Sequence, residues 1–187
     1  MSRAFTRLTF TPSVRAEQGR RGSRESYRRV EAAADTHDIL TEDEIEFIAA
    51  RDSFYQATVN EDGWPYIQHR GGPAGFLRVL DKRTIAYADF SGNRQYLSVG
   101  NLLANDRIAL ILMDYPNQAR LKIWGHARII DAGADAGLLA QVSMPGYQAR
   151  IERIVVIQVE AFDWNCPRHI TPRYSVAEIQ ASIAAQE

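Results

Sequence analysis

Cysteine is all but missing from this chain of 187 residues, where Cys166 stands alone. A single thiol excludes an intramolecular disulfide framework and any metal knuckle built from several cysteines. Long apolar runs are missing too, so nothing reads as a membrane span. The opening MSRAFTRLTFTPSVRAEQGRR also lacks the apolar centre of a signal peptide. Neither sign of charge is in surplus. A net charge of −1 offers no general attraction to nucleic acid or to an anionic membrane surface. Any bound anion must therefore be held by a local cluster. These absences lead us to expect a soluble, cytoplasmic protein with neither a nucleic-acid nor a membrane partner.

What is present is the composition of a folded domain, with 45% hydrophobic and 24% charged residues. The chain length suits one core with terminal appendages. The basic N-terminal stretch reads as a solvated arm. SRESYRRVEAAAD, with Tyr27, Val30 and Ala34 at helical spacing, predicts a helix. TEDEIEFIAARD predicts a stronger one, with Thr41 and Glu44 as a capping box and Ile45, Ile48 and Ala49 as its apolar stripe. Its acids Glu42, Glu44 and Glu46 are expected in solvent.

From there the period changes to two. FYQATVN and YIQHR flank the turn signal EDGWP and read as a hairpin; GFLRVLD and TIAYADF repeat the pattern. RQYLSVGNLLAND predicts a short helix and RIALILM a strand covered on both faces. ARLKIWGHARII sets Leu121, Ile123, Ala127 and Ile129 against a cationic and aromatic face of Arg120, Lys122, Trp124, His126 and Arg128. That face suits solvent, a dimer surface or a ligand mouth. GADAGLLAQV and YQARIER read as short helices, IVVIQVEAFDW as the last strand, and SVAEIQASIAAQ as a capped helix with Ser175 and Glu178 in the box positions. The pattern predicts a mainly β (α+β) fold, a six-stranded antiparallel barrel with peripheral helices.

Two glycine-rich interruptions carry an arginine each. In QHRGGPAG, glycines 71, 72 and 75 allow the backbone amides to approach a ligand, and Arg70 adds a bidentate donor. The plain alternative is a wide loop between strands. In DFSGNRQYLSVGN, Ser91, Asn93 and Arg94 lie where a loop enters a helix, a favourable place for an anion. The alternative there is an ordinary N-cap beside an exposed arginine. Neither segment matches the Walker loop or the dinucleotide fingerprint.

The order of these segments, above all YADFSGNR, SVGNLLAND, NLLANDRIALIL and the glycine-interrupted LKIWGHARI, resembles the pyridoxamine 5′-phosphate oxidase-like FMN-binding split-barrel family over about Ile39 to Phe162. Asp106 stands where the family has proline. The resemblance implies a split-barrel domain at 39–163, between an N-terminal helical extension at 1–38 and a C-terminal arm and helix at 164–187. It implies a homodimer with FMN at the interface. It also implies an FMN-dependent oxidoreductase passing hydride or electrons between the flavin and a small-molecule substrate. A non-catalytic flavin- or haem-binding protein is the alternative, and a deazaflavin the alternative cofactor. By position, the resemblance assigns Arg70, Gly71, Asn93, Arg94 and Ser98 to the phosphate, with Tyr87 and Ala88 along the flavin-facing strand. The family oxidase's Ser-Arg-Lys cluster is replaced here by SGNRQYLS, and its substrate-binding residues have no counterpart in the pattern.

The segment DWNCPRHITPRYS carries Trp164, Arg168, His169 and Arg173 in a stretch that two prolines keep from being helical. Trp164 as a wall of the flavin pocket and Arg168 at the ring's polar edge is one reading. A structural arm with a packed tryptophan and solvated arginines is the other. Cys166 reads as a packed or idle thiol. His37, His69 and His126 show no metal spacing, so no metal is expected, and no catalytic residue is assigned.

Overall fold

The computed structural model describes residues 3–32, 38–164 and 168–184. Ala34, His37 and Cys166 lie outside them. Three helices come first: α1 (Arg3–Thr9), α2 (Pro12–Arg20) and α3 (Arg24–Glu31). Then α4 (Glu42–Ala49) leads into two hairpins, β1 (Ser53–Val59) with β2 (Pro65–Gly71) and β3 (Leu77–Asp81) with β4 (Thr84–Phe90). Helix α5 (Leu97–Ala104) precedes β5 (Arg107–Asp114) and β6 (Ala119–Asp131). Helix α6 (Ala136–Val142), β7 (Ile151–Trp164) and α7 (Val176–Ala184) complete the order.

All pairings are antiparallel, in one seven-stranded sheet of order β2-β1-β5-β6-β7-β4-β3. This is one strand more than the six expected for the barrel, although each of the seven segments reads as a strand by itself; β2 and β3 form the two edges of the open sheet. The curled sheet encloses Phe54, Phe76, Tyr87, Leu112, Ile123 and Phe162, all at most 1% exposed. RIALILM alternates between buried and half-buried positions instead of being covered on both faces. YQARIER is not a helix: Ile151, Glu152 and Arg153 already belong to β7, paired with β4 and β6.

Gly125 marks a bulge. The β6–β7 register shifts between Trp124 and Gly125, and a Cβ at Gly125 would lie 2.2 Å from the Gln158 carbonyl oxygen. Only glycine fits so close a backbone approach.

The basic N-terminal stretch is not a solvated arm. Ala4, Phe5 and Phe10 are buried with Ala161 of β7, and the Phe5 ring meets Trp124 edge-on at 5.0 Å. Lys122 lies 4.8 Å from the centre of the Phe5 ring and pairs with buried Asp163 at 3.0 Å. Helix α1 thus packs on β7 and covers the Lys122 and Trp124 part of the cationic face of β6, while Arg128 stays exposed.

Glu44 is likewise not in solvent. It is 4% exposed, its Oε2 accepts from the Thr41 amide and hydroxyl, and its Oε1 accepts from Trp164 Nε1 at 2.5 Å. At α7, Glu178 accepts from the Ser175 amide at 2.7 Å, which holds its carboxyl below the ordinary range. Among the described residues, no helix is long and apolar enough to cross a membrane.

Candidate functional site

Asp89 is the one acid in the otherwise apolar and aromatic strand TIAYADF, and at 3% exposure it cannot rely on water. Its carboxylate accepts from Arg70 Nη1 at 2.7 Å and from Arg153 Nε at 3.0 Å. The two arginines come from β2 and β7. β7 is β4's neighbour in the sheet, but β2 is not, so the Arg70–Asp89 bond crosses the open seam of the barrel. The Arg70 guanidinium also lies 5.9 Å from the centre of the Tyr87 ring. Its Nε is buried with no hydrogen-bond partner. Tyr87 itself is 1% exposed and donates its hydroxyl to Gln56; burial pushes its phenol above the ordinary range.

Beside this cluster opens a cleft of about 210 Å³. Arg70, Asn93, Arg94 and Ser98, four of the residues expected at the phosphate, line it together with Asp89, Tyr96, Glu152 and Arg153. The chain reaches it through a strained turn. Arg94 and Tyr96 have φ of 62° and 54°, a left-handed backbone that non-glycine residues rarely adopt. Asn93 Oδ1 accepts from the Gln95 amide at 3.1 Å and tightens that turn. Helix α5 follows at once. Its first internal bond runs from Gly100 N to Tyr96 O, so the amides of Leu97, Ser98 and Val99 open the helix toward the cleft.

The expected roles divide. Arg94 is exposed, with only a 3.4 Å bond from its Nε to the Tyr96 hydroxyl. Ser98 is buried and donates its hydroxyl to Gln68 Oε1 at 2.8 Å. Gly71, Tyr87 and Ala88 line a second hollow of about 170 Å³ that shares Arg70, Asp89 and Phe90 with the first. The glycine amides of the first loop do not point to a ligand: Gly72 N donates to Asp52 O and Gly75 N to Arg51 O, both at 2.9 Å. Those two amides are spent on packing; of this segment Gln68 and Arg70 line the first cleft and Gly71 the second hollow.

Trp164 and Arg168 do not reach either hollow in this chain. Trp164 packs edge-on against Phe47 of α4 at 4.7 Å, and Arg168 is exposed. Farther on, Gln118 Nε2 donates to Ile170 O at 2.7 Å and Arg173 lies 5.0 Å from the centre of the Tyr115 ring, so the arm follows the β5–β6 turn. His126 pairs with Asp106 at 2.9 Å on the surface.

Sequence reasoning missed Asp89 and Arg153. The signal for Asp89 was its place in an apolar strand, where a carboxylate implies buried cations. Arg153 was hidden by the helical reading of YQARIER.

A fold match supports the same frame. A candidate pyridoxamine 5′-phosphate oxidase from Lactobacillus delbrueckii superposes with a TM-score of 0.51 at 20% identity, over 67% of this chain and 94% of that one. A HupZ variant from Group A Streptococcus gives 0.51 at 17% identity, over 68% and 100%. At such identities the likeness speaks to the fold alone. No curated protein matches the chain. The model of the pyridoxamine 5′-phosphate oxidase family matches residues 40–165, more than half of the chain and every strand of the barrel. This chain, then, belongs to the pyridoxamine 5′-phosphate oxidase family.

Proposed function

We propose that the protein binds FMN and serves as a flavin-dependent oxidoreductase, passing hydride or electrons between the flavin and a small organic substrate. One observation carries the reading: Arg70 from β2 and Arg94 from the loop before α5 line the same cleft, at the opening of a helix. These residues fit a phosphate. Their free groups are donors, the buried Arg70 Nε lacks an acceptor, and the amides that start α5 favour an anion.

Bound FMN would supply the redox chemistry itself. The residues of this chain would do the rest. Arg70 and Arg94 hold the phosphate, the α5 amides add hydrogen bonds, and Ser98 fixes the start of α5 against Gln68 of β2. Tyr87, Ala88 and Phe90 give the adjoining hollow its walls.

We further propose a homodimer. The outer sheet face holds an apolar hollow of about 170 Å³ lined by Tyr55, Ala57, Ile67, Ala109, Ile111 and Trp124, and Ile67 is 66% exposed. Such a patch favours a partner. In a dimer, Trp164 or Arg168 would act at the cofactor of the other subunit, since within one chain they are elsewhere.

A second reading has its own support. The acids of the cleft, Asp89 and Glu152, are both paired with Arg153, and among the described residues no histidine lines the cleft itself, while His69 lines the adjoining hollow. A cleft whose acids are both paired suits a protein that binds flavin without turnover.

The deciding experiment is the visible spectrum of the purified protein with mass analysis of the extracted cofactor. A flavin spectrum and the mass of FMN are expected. No bound flavin and no FMN uptake on reconstitution would sink the reading. Turnover with pyridoxine phosphate, nicotinamide and quinone partners separates the enzyme from the binding protein.

A further inference from the structure

We propose that Arg153 is a direct ligand of the phosphate, a third cation beside Arg70 and Arg94, and that Asp89 is the positioning residue that aims Arg70 and Arg153 together, so that the cleft selects a phosphate monoester over the same flavin without phosphate. The inference rests on the flavin reading and deepens it.

Arg153 has the marks of a side chain that is held ready. It is 16% exposed, lies 4.7 Å from the centre of the Tyr96 ring, and meets Asp89 and Glu152 through Nε and Nη2. The stacked ring sets the plane of the guanidinium, and the carboxylates set its rotation about that plane. That ring belongs to Tyr96, one of the two residues with a left-handed backbone in the turn before α5. Arg70 is fixed from the other side by the second oxygen of the same carboxylate. One buried acid thus orients two cations that border the same cleft.

The charge balance favours a monoester. Three guanidiniums face two carboxylates in the cleft, and the start of α5 adds about half a positive charge, leaving roughly +1.5. A phosphate monoester carries about −1.5 to −2 at neutral pH. Riboflavin offers nothing to meet that surplus. Asp89 and Glu152 offset two of the three guanidiniums, so the net excess equals one cation, and Arg70 and Arg153 share a single carboxylate between them.

The test uses the full chain and two flavins, with affinity read by quenching of flavin fluorescence. Arg153→Ala should weaken FMN about ten- to a hundredfold and leave riboflavin within about threefold. Arg153→Lys keeps the charge without the fork and should recover part of the loss. If Arg153→Ala leaves FMN unchanged, or weakens both flavins equally, the direct contact is overturned. Asp89→Asn should reduce the preference for FMN over riboflavin about tenfold. Tighter FMN binding by Asp89→Asn would overturn the positioning role and make Asp89 a charge that opposes the ligand. If the wild-type chain binds neither flavin, the flavin reading fails by itself, and inorganic phosphate becomes the probe. A phosphate-dependent rise in Tm that Arg153→Ala abolishes would uphold the anion grip. No rise in the wild type would overturn it.

Discussion

Arg70 and Arg153, on strands that are not neighbours in the sheet, meet the two oxygens of one carboxylate, Asp89, at 2.7 and 3.0 Å. Arg70 therefore has two duties and Arg94 one. Arg70→Ala removes a buried partner and should cost about 1–3 kcal/mol of stability as well as FMN affinity. Arg94→Ala should cost only affinity, about ten- to a hundredfold, because its side chain is exposed. Denaturant midpoints and FMN titrations of both variants read the two effects separately. An Arg94→Ala chain as destabilised as Arg70→Ala would contradict this division.

The bulge at Gly125 makes a sharper demand. A methyl group there would press on the Gln158 backbone at 2.2 Å, and backbone, unlike a flexible side chain, has little room to yield. Gly125→Ala should lose about 3 kcal/mol or more and loosen the β6–β7 pairing. Chemical denaturation with hydrogen exchange across 121–131 would measure it; a chain of unchanged stability would mean the bulge relaxes freely.

Tyr87 predicts an alkaline limit. Burial raises its pKa in the folded chain above the ordinary 10.0. The folded state thus keeps a proton that the unfolded state releases, so stability is whole below pH 10 and falls above it. The slope approaches about 1.4 kcal/mol per pH unit. Tyr87→Phe loses the bond to Gln56 and should be weaker at pH 7, yet lose less stability between pH 10 and 11. Parallel loss in both chains would exclude Tyr87 as the cause.

Phe5 tests the docked N-terminus. With Trp124 and Lys122 against its ring, Phe5→Ala should cost about 2–4 kcal/mol of local stability. Hydrogen exchange should show amides of α1 opening while the β4–β7 pairing keeps its protection. Uniform loss across the sheet would mean that α1 is integral to the barrel.

Much of the barrel is legible in the chain because its strands alternate. TIAYADF is β4 from end to end, and LSVGNLLA is the helix between β4 and β5. The capping boxes at Thr41 and Ser175 are equally local. What escaped depends on partners distant in sequence. Phe5 looks like an arm residue until Trp124 is placed beside it. Glu44 looks solvated until Trp164 reaches it. Arg153 lies in a strand only because Asp131 of β6 and Asp89 of β4 flank it. At the site, Arg70 and Arg94 were recognisable as cations beside glycine, but Asp89, the acid that holds Arg70 and Arg153, stood unremarked inside a strand.

Under the proposed flavin reading, the carboxylate at the seam also bears on the protein between one bound cofactor and the next. Arginines gathered for an anion would repel one another and strain the barrel whenever that anion left. Asp89 already satisfies two of them from within. On that reading the chain needs no bound anion to balance Arg70 and Arg153, and should keep its fold whether the cleft is filled or empty.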